Sequence, residues 1–278
     1  MPKDLPRIAI AQMNSNHIVE ENLRQLEYLL RKQKSDFDLL FLPENFAHMP
    51  RNEKERTACA EKLGQGQIQA FLMKIAQQYK CWLIAGSVPI LVDTLNGAGK
   101  IFQACLVYDQ LGELRKRYDK IHLFDVTLPN GEAYQESRFI EFGDPRQNPT
   151  VATPWGLLGL SICYDIRFPE FYRAMPSEIF MLSVPAAFTY DSGKAHWRTL
   201  LKARAIENQV YVVAAAQTGE HSNGRKTWGH STLIDPWGET ITEISDEQKV
   251  VSTPIDLAYI QQVRDQFPCL HHKRTQTH

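Results

Sequence analysis

No stretch of this sequence stays apolar for long. The run "VYVVAAA" at 210–216 is far too short to cross a bilayer. The N-terminal "MPKDLPRIAIAQMN" has no continuous apolar segment of the kind a secretory signal carries and reads as a strand. Neither sign of charge is in excess: 31 Lys and Arg stand against 32 Asp and Glu. Nothing in that balance points to nucleic acid or to an anionic membrane surface. Cysteine is sparse. Its five copies, at 59, 81, 105, 163 and 269, are odd in number and include no C-x-x-C. Most of them read as reduced core thiols of a cytoplasmic protein. There is no low-complexity linker and no short-period repeat. What is present is a core: 43% of the 278 residues are hydrophobic. That is too many for a disordered chain and enough for one large layered domain. The expectation is a single domain over 1–278, with a polar tail from about 267.

Periodicity predicts a strand at 7–13 and a helix at 18–34, with Leu23, Leu26, Leu29 and Leu30 at helical spacing and Asn16 as its cap. "DLLFLP" at 38–43 is all apolar toward its end, as in a strand covered on both faces. A helix at about 67–79 leads into "CWLIAGSVPIL", and "KIFQACLVYD" with "GELRKRY" reads as a hairpin. Residues 124–150, rich in Pro, Gly and polar residues, read as a long loop over a site. Beyond them come a strand ending near Cys163, a short helix, the strand "IFMLSVP", and a helix with Trp197, Leu200, Leu201 and Ala205 on one face. The strand "VYVVAAAQ", a strand–turn–strand unit at "HSTLIDPWGETITEI", the strand "VVSTPID" and a helix at 256–266 complete the chain. Strands alternating with helices, interrupted by strand–turn–strand units, predict two sheets with helices outside them. The fold class is α/β, a four-layer αββα sandwich.

Three segments end an apolar run in charge. "GLLGLSICYDIRFPE" at 156–170 delivers Cys163 to a strand end, where open α/β sheets place their sites. Pro169 and Glu170 suit the start of a following helix. A nucleophilic thiol here needs a base or a positive neighbour, and the plain alternative is a small core hydrophobe. "DLLFLPENF" brings Glu44 to a strand end, either held in a cleft or solvated at a rim. "LRKRYDKIHLFD" carries four basic residues among apolar ones, and charge alone does not single out Lys120.

In combination the segments are specific. "LPENF", "RKRYDKIHLFD" and "GLSICYDIRFPE" occur in this order, with 76 positions from Glu44 to Lys120 and 43 from Lys120 to Cys163. The chain resembles the nitrilase superfamily of carbon–nitrogen hydrolases, and within it the Nit-type amidases. "PAAFTYDSGKAHW", "KARAIENQVYVVAAAQTG", "GHSTLIDPWG" and "IDLAYIQQVR" extend the likeness over almost the whole chain. The deaminated-glutathione amidases are the subgroup most resembled and the ω-amidases the second. The resemblance implies the αββα sandwich, packing of two or more copies sandwich to sandwich, and no metal or organic cofactor.

The resemblance also implies roles. Glu44 matches the general base, Lys120 the lysine and Cys163 the nucleophile. Glu136, in "YQESRF", matches a second glutamate, with Glu132 its rival by position. The backbone N–H of Tyr164 would help form an oxyanion hole. Asp165, Arg167 and Glu170 are then expected to fix the turn rather than to react. The placement of the thiol beside Glu44 and Lys120 is expected to favour the thiolate. A substrate carboxylate needs a cation at the pocket rim, and "HSNGRKTWGHS" offers Arg225 ahead of Lys226, because a guanidinium holds a carboxylate through two parallel bonds. Thr189 and His196 are expected on the substrate side, His196 as a structural or rim histidine rather than a base. Two departures from the family pattern stand out: Asp119 where a basic residue is usual, and Pro176 in a slightly short connection.

Other chemistries fit less well. A Cys–His–Asp hydrolase needs glycines flanking its nucleophile, and "SICYD" has none. "CLHH" at 269–272 and His278 lie in a polar tail, suited to stray metal at most. Arg204 and Glu207 read as a structural ion pair one helical turn apart. A binding module without catalysis would keep the fold but has no reason to keep all three triad residues. A small-molecule amide is the expected partner, with no nucleic acid and no membrane.

Overall fold

A computed structural model describes residues 5–92, 99–128 and 131–274. Two sheets form its centre. The first runs through Lys249–Pro254, Arg7–Gln12, Leu39–Phe41, Trp82–Ile84 and Ile101–Tyr108, with Val88–Leu91 and Leu114–Asp119 also paired to Ile101–Tyr108. The second runs through Thr240–Glu243, Thr232–Ile234, Tyr211–Ala214, Ile179–Ser183, Gly156–Leu160 and Thr150–Thr153. Each sheet has a parallel centre, which explains the unbroken apolar runs: such strands are covered on both faces.

Side-chain alternation separates the layers. Ile8 and Ile10 of the first strand share a core with Leu158 and Leu160 of the second sheet, whereas Ala9 and Ala11 face the helices. On that helical side Val19–Lys32 and Gln67–Tyr79 bury Leu23, Leu26, Leu30, Leu72 and Ile75. Helix Tyr190–Asn208 packs on the second sheet through Trp197, Leu201 and Ala205, with Leu200 only partly covered. Each leucine fully removed from water contributes about 1.5–3 kcal/mol. The result is the αββα sandwich.

Several local expectations change. Ile18 occupies the N-cap position of the first helix, with no side-chain capping bond. Asn16 instead makes a turn just ahead of it, its Oδ1 accepting the Ile18 N–H at 2.7 Å. Residues 124–150 are not a plain loop: Asp125–Thr127 pairs with Ala133–Gln135, and Glu136–Arg138 is a 3-10 turn. The short helix Glu53–Ala58 and the hairpin of Thr218–Glu220 with Lys226–Trp228 have no hydrophobic period to announce them. Asp119 is accommodated by Arg117, whose Nε donates to it at 2.8 Å.

Candidate active site

Three strand ends converge. Glu44 follows Leu39–Phe41, Lys120 follows Leu114–Asp119, and Cys163 follows Gly156–Leu160 of the facing sheet. Lys120 Nζ donates to Glu44 Oε1 at 2.9 Å and to Glu136 Oε2 at 2.9 Å, with its side chain only 1% exposed. Burial alone would lower the ammonium pKa. The charges of Glu136 and Glu44 outweigh it and hold Lys120 above its ordinary value. For Glu136, burial would raise the carboxyl, but Lys120, Arg56 and the Phe124 N–H at 2.8 Å together keep it below its ordinary value. Glu44 Oε2 accepts the Ala187 N–H at 2.9 Å, so both of its oxygens are held.

The backbone around Glu44 is equally constrained. Asn45 takes φ +58°. Its N–H donates to Ser87 Oγ at 2.9 Å, and its Oδ1 accepts from Gln103 Nε2 at 3.0 Å. The Gln103 carbonyl in turn accepts the Lys120 N–H at 2.9 Å. One buried glutamine therefore ties the Glu44 turn to Lys120, and only strand register, not its residue type, marks it. Gly86, at φ +53°, lets the Pro43–Glu44 turn come close, since a Cβ there would lie 2.1 Å from the Pro43 oxygen. Gly86→Ala should lose at least about 1–3 kcal/mol of unfolding free energy in urea titration, from the clash with rigid backbone. Its residual folded enzyme should also be slower, because the backbone that must yield carries Glu44. Wild-type stability in Gly86→Ala would show that the approach is not needed.

Cys163 itself takes φ +49°, an unfavourable region for a residue with a Cβ. The strain is held by its surroundings. Its N–H donates to the Pro185 carbonyl at 2.8 Å. Asp165, fully buried, accepts from Ile162 N at 2.8 Å, Tyr118 Oη at 2.7 Å, and His122 N and Nδ1 at 3.1 and 2.7 Å. A carboxylate thus fastens the thiol turn of one sheet to the lysine segment of the other. Arg204 adds two bonds to the Ile166 carbonyl, at 3.0 and 2.6 Å, while pairing with Glu207 at 2.8 Å. That pair is structural, and it braces the same turn.

The thiol does not have the character expected of it. Burial, and after it the negative charge of Glu44, push Cys163 well above the ordinary thiol range, and Lys120 opposes this without overcoming it. Cys59, Cys81 and Cys105 are also pushed up, each to about 12, mainly by burial. What sets Cys163 apart is therefore not acidity but a carboxylate beside it and a pocket in front of it. The resting group is a neutral thiol. Because its folded pKa is raised, it contributes stability below the ordinary thiol value, and that stability is lost as pH rises toward the folded value. Above pH of about 8.5 the wild type should lose stability more steeply than Cys163→Ala, by up to about 1.4 kcal/mol per pH unit. Urea unfolding from pH 8 to 10 reads this, and parallel slopes would disprove a protonated thiol.

These groups open onto a narrow pocket, about 300 Å³ with its open mouth included, whose wall includes Glu136, Tyr164, Thr189, Arg167 and Arg225. Tyr164 lies in the first turn of a 3-10 segment, Cys163–Arg167, where amides lack intrahelical acceptors. Thr189 is buried ahead of helix Tyr190–Asn208, its Oγ1 2.7 Å from Ser192 Oγ. Arg225 Nη2 donates to the Ala187 carbonyl, and its guanidinium lies 5.3 Å from the Tyr134 ring centre. Lys226 is exposed and pairs with Glu220 at 3.3 Å. Glu132 is exposed and accepts from Tyr134 Oη at 2.8 Å, so Glu136 is the glutamate at Lys120. His196 is not part of the wall: it is exposed, with Nδ1 3.4 Å from the Arg167 guanidinium. Arg167, expected to fix the turn, instead faces the pocket across the Phe188 ring at 5.2 Å.

Among the described residues no three His, Cys, Asp or Glu side chains could share a metal ion, Cys269, His271 and His272 included; His278 lies outside the described residues. No described helix is long and apolar enough to cross a membrane. A buried thiol, a carboxylate within a hydrogen-bonded network and a fixed ammonium together suit nucleophilic attack on a carbonyl carbon, with the ammonium receiving the charge that develops on oxygen.

Comparison with known proteins shows what the chain is similar to. The carbon–nitrogen hydrolase family model matches residues 7–265. The chain is 40% identical over 271 residues to a deaminated glutathione amidase of Synechocystis, covering 96% of this chain and 98% of that protein. To the protein of the same description from Yersinia enterocolitica it is 37% identical over 270 residues, covering 96% and 92%. Among solved structures it is similar to the C. elegans NitFhit protein, with a TM-score of 0.89 at 36% identity, over 99% of this chain and 66% of that longer one.

Proposed function

The chain belongs to the carbon–nitrogen hydrolase family, and from that premise we propose that it is a cysteine-dependent amidase for small carboxylate-bearing amides of the deaminated-glutathione kind. The observation that carries this reading is Lys120 held at 2.9 Å from both Glu44 and Glu136, beside Cys163, in a pocket that also contains two arginines.

Glu44 takes the thiol proton as Cys163 attacks the amide carbon. The charge on oxygen is met by Lys120 and the Tyr164 N–H; one such donor is worth roughly 3 kcal/mol. The C–N bond breaks as Glu44 returns the proton to nitrogen, and a thioester remains. Water, activated by Glu44 with Glu136 beside it, releases the acid and the thiol. The chemistry calls for no metal or organic cofactor. Arg225 and Thr189 bind the substrate, and His196 acts only by steadying Arg167. The five unpaired cysteines support a reducing, cytoplasmic setting, and the family likeness supports a homo-oligomer.

The test is release of ammonia or amine across a panel of amides and nitriles. A carboxylate-bearing amide should exceed a neutral amide of similar size in kcat/KM. Arg225→Ala should narrow that ratio by about tenfold, the value of one charged hydrogen bond. An unchanged ratio removes Arg225 from the carboxylate site. Preference for a nitrile removes the amidase reading, and release from no substrate leaves a binding module.

A further inference from the structure

Lys120 stands at the end of an edge strand. Leu114–Asp119 pairs with Ile101–Tyr108, and among the described residues no strand covers its other edge. Unpaired strand ends open easily, and this end carries the ammonium. A shift of about 1 Å in a positioned group can cost on the order of 10²-fold in rate.

The missing neighbour is supplied by a side chain. Gln147 meets both peptide groups of Asp119: its Oε1 accepts the Asp119 N–H at 3.0 Å, and its Nε2 donates to the Asp119 carbonyl at 2.7 Å. One amide thus repeats the pair of bonds that an antiparallel neighbour would make. The Asp119 carboxylate takes no part, being bonded to Arg117 Nε at 2.8 Å. Lys120 itself is held by main-chain groups. Its N–H donates to the Gln103 carbonyl, and its carbonyl accepts the Gly143 N–H, each at 2.9 Å. Gly143 comes so close that a Cβ there would lie 2.2 Å from the Asp119 oxygen.

The segment that carries Gln147 is itself anchored. The Gln147 N–H donates to the Asp144 carbonyl at 3.0 Å, and the Asp144 carboxylate pairs with Arg146 at 3.0 Å. Further back, Ile101 N–H donates to the Phe139 carbonyl at 3.1 Å and Glu141 N–H to the Ile101 carbonyl at 2.8 Å. The same segment begins at Glu136, which accepts from Lys120 Nζ. It therefore reaches both ends of the lysine, the ammonium through Glu136 and the main chain through Gln147. We propose that Gln147 is a positioning residue for the amidase reaction: its side-chain amide stands in for a strand and fixes the backbone from which Lys120 meets the oxyanion. Gln147 is not part of the pocket wall, so it acts through Lys120 and not on substrate. This rests on the oxyanion role proposed for Lys120 and extends it.

Gln147→Ala and Gln147→Glu test it, the second nearly isosteric but with an oxygen where the donor stood. Each should lower kcat by roughly tenfold, less than Lys120→Met does, with KM unchanged, because the oxyanion forms only in the transition state. Coupling is the readout that a merely structural role would not move. Added to Lys120→Met, either substitution should lower kcat no further, since the group it positions is gone. Rates are compared per folded protein, counted by circular dichroism, so lost folding does not enter. Wild-type kcat in both variants overturns the inference. A rise in KM alone also overturns it, as does a loss that recurs in full on the Lys120→Met background. In these cases a slow Lys120→Met leaves the amidase mechanism standing. Near-normal kcat in Lys120→Met overturns both.

Discussion

Cys163→Ala should release no product above background from any amide, a loss on the order of 10⁴-fold or more, because nothing else in the pocket can form the acyl bond. The protein should remain folded. Alanine suffers the same left-handed backbone that Cys163 already occupies, and the bonds holding the turn come from Asp165, Arg204 and main-chain groups rather than from sulfur. Intact-mass analysis of wild type mixed with a slow substrate should show an acyl adduct, mapped to Cys163 by peptide digestion and absent from the variant. An adduct on Cys59, Cys81, Cys105 or Cys269, with activity surviving in Cys163→Ala, would sink the assignment. Since the resting thiol is neutral, alkylation of Cys163 should also slow in Glu44→Gln, which cannot take the proton during attack.

Lys120→Met should fail twice. In rate, loss of the oxyanion donor should reduce kcat/KM by roughly 10²-fold or more. In stability, it leaves two carboxylates facing each other without their shared cation, one of them buried with both oxygens committed. Removing one partner of a buried charge pair typically loses about 3–5 kcal/mol. Lys120→Met combined with Glu136→Gln should therefore recover part of the stability and none of the rate. Urea unfolding and steady-state kinetics on the single and double variants separate the two roles. Near-normal product release from Lys120→Met would refute the oxyanion role, and equal stability of single and double variants would show that Glu136 does not depend on the ammonium. Acid pH should act in the same direction. Because the folded Glu136 pKa is lowered, its contribution to stability is present above the ordinary carboxylate value and disappears as pH falls through the lowered one, a loss that Glu136→Gln should lack.

Much of this was legible in the chain. Strand ends are readable because apolar runs stop where cover stops. Glu44 and Cys163 each sit at such a stop, whereas Lys120 ends the charged strand Leu114–Asp119 and only the motif around it singles it out from its neighbouring cations. The αββα layering was legible for the same reason, since continuous apolar strands flanked by amphipathic helices have few ways to bury both faces. Three things were not legible. The strand "IFQACLVYD" does not say that Gln103 turns inward to bridge the Glu44 turn and the Lys120 segment, because strand register is set by the neighbours it pairs with. "CYDIRF" does not say that Asp165 is the buried acceptor while Arg167 faces the pocket. That division depends on a 3-10 turn held across both sheets. Nor could it show that the thiol is held protonated: a pKa is the balance of burial against nearby charge, and both terms exist only once the sheets close. The sequence by itself determined which residue types stand at the strand ends and therefore which chemistry is within reach. Tertiary structure alone decided their distances and their protonation, because those depend on contacts between segments far apart in the chain.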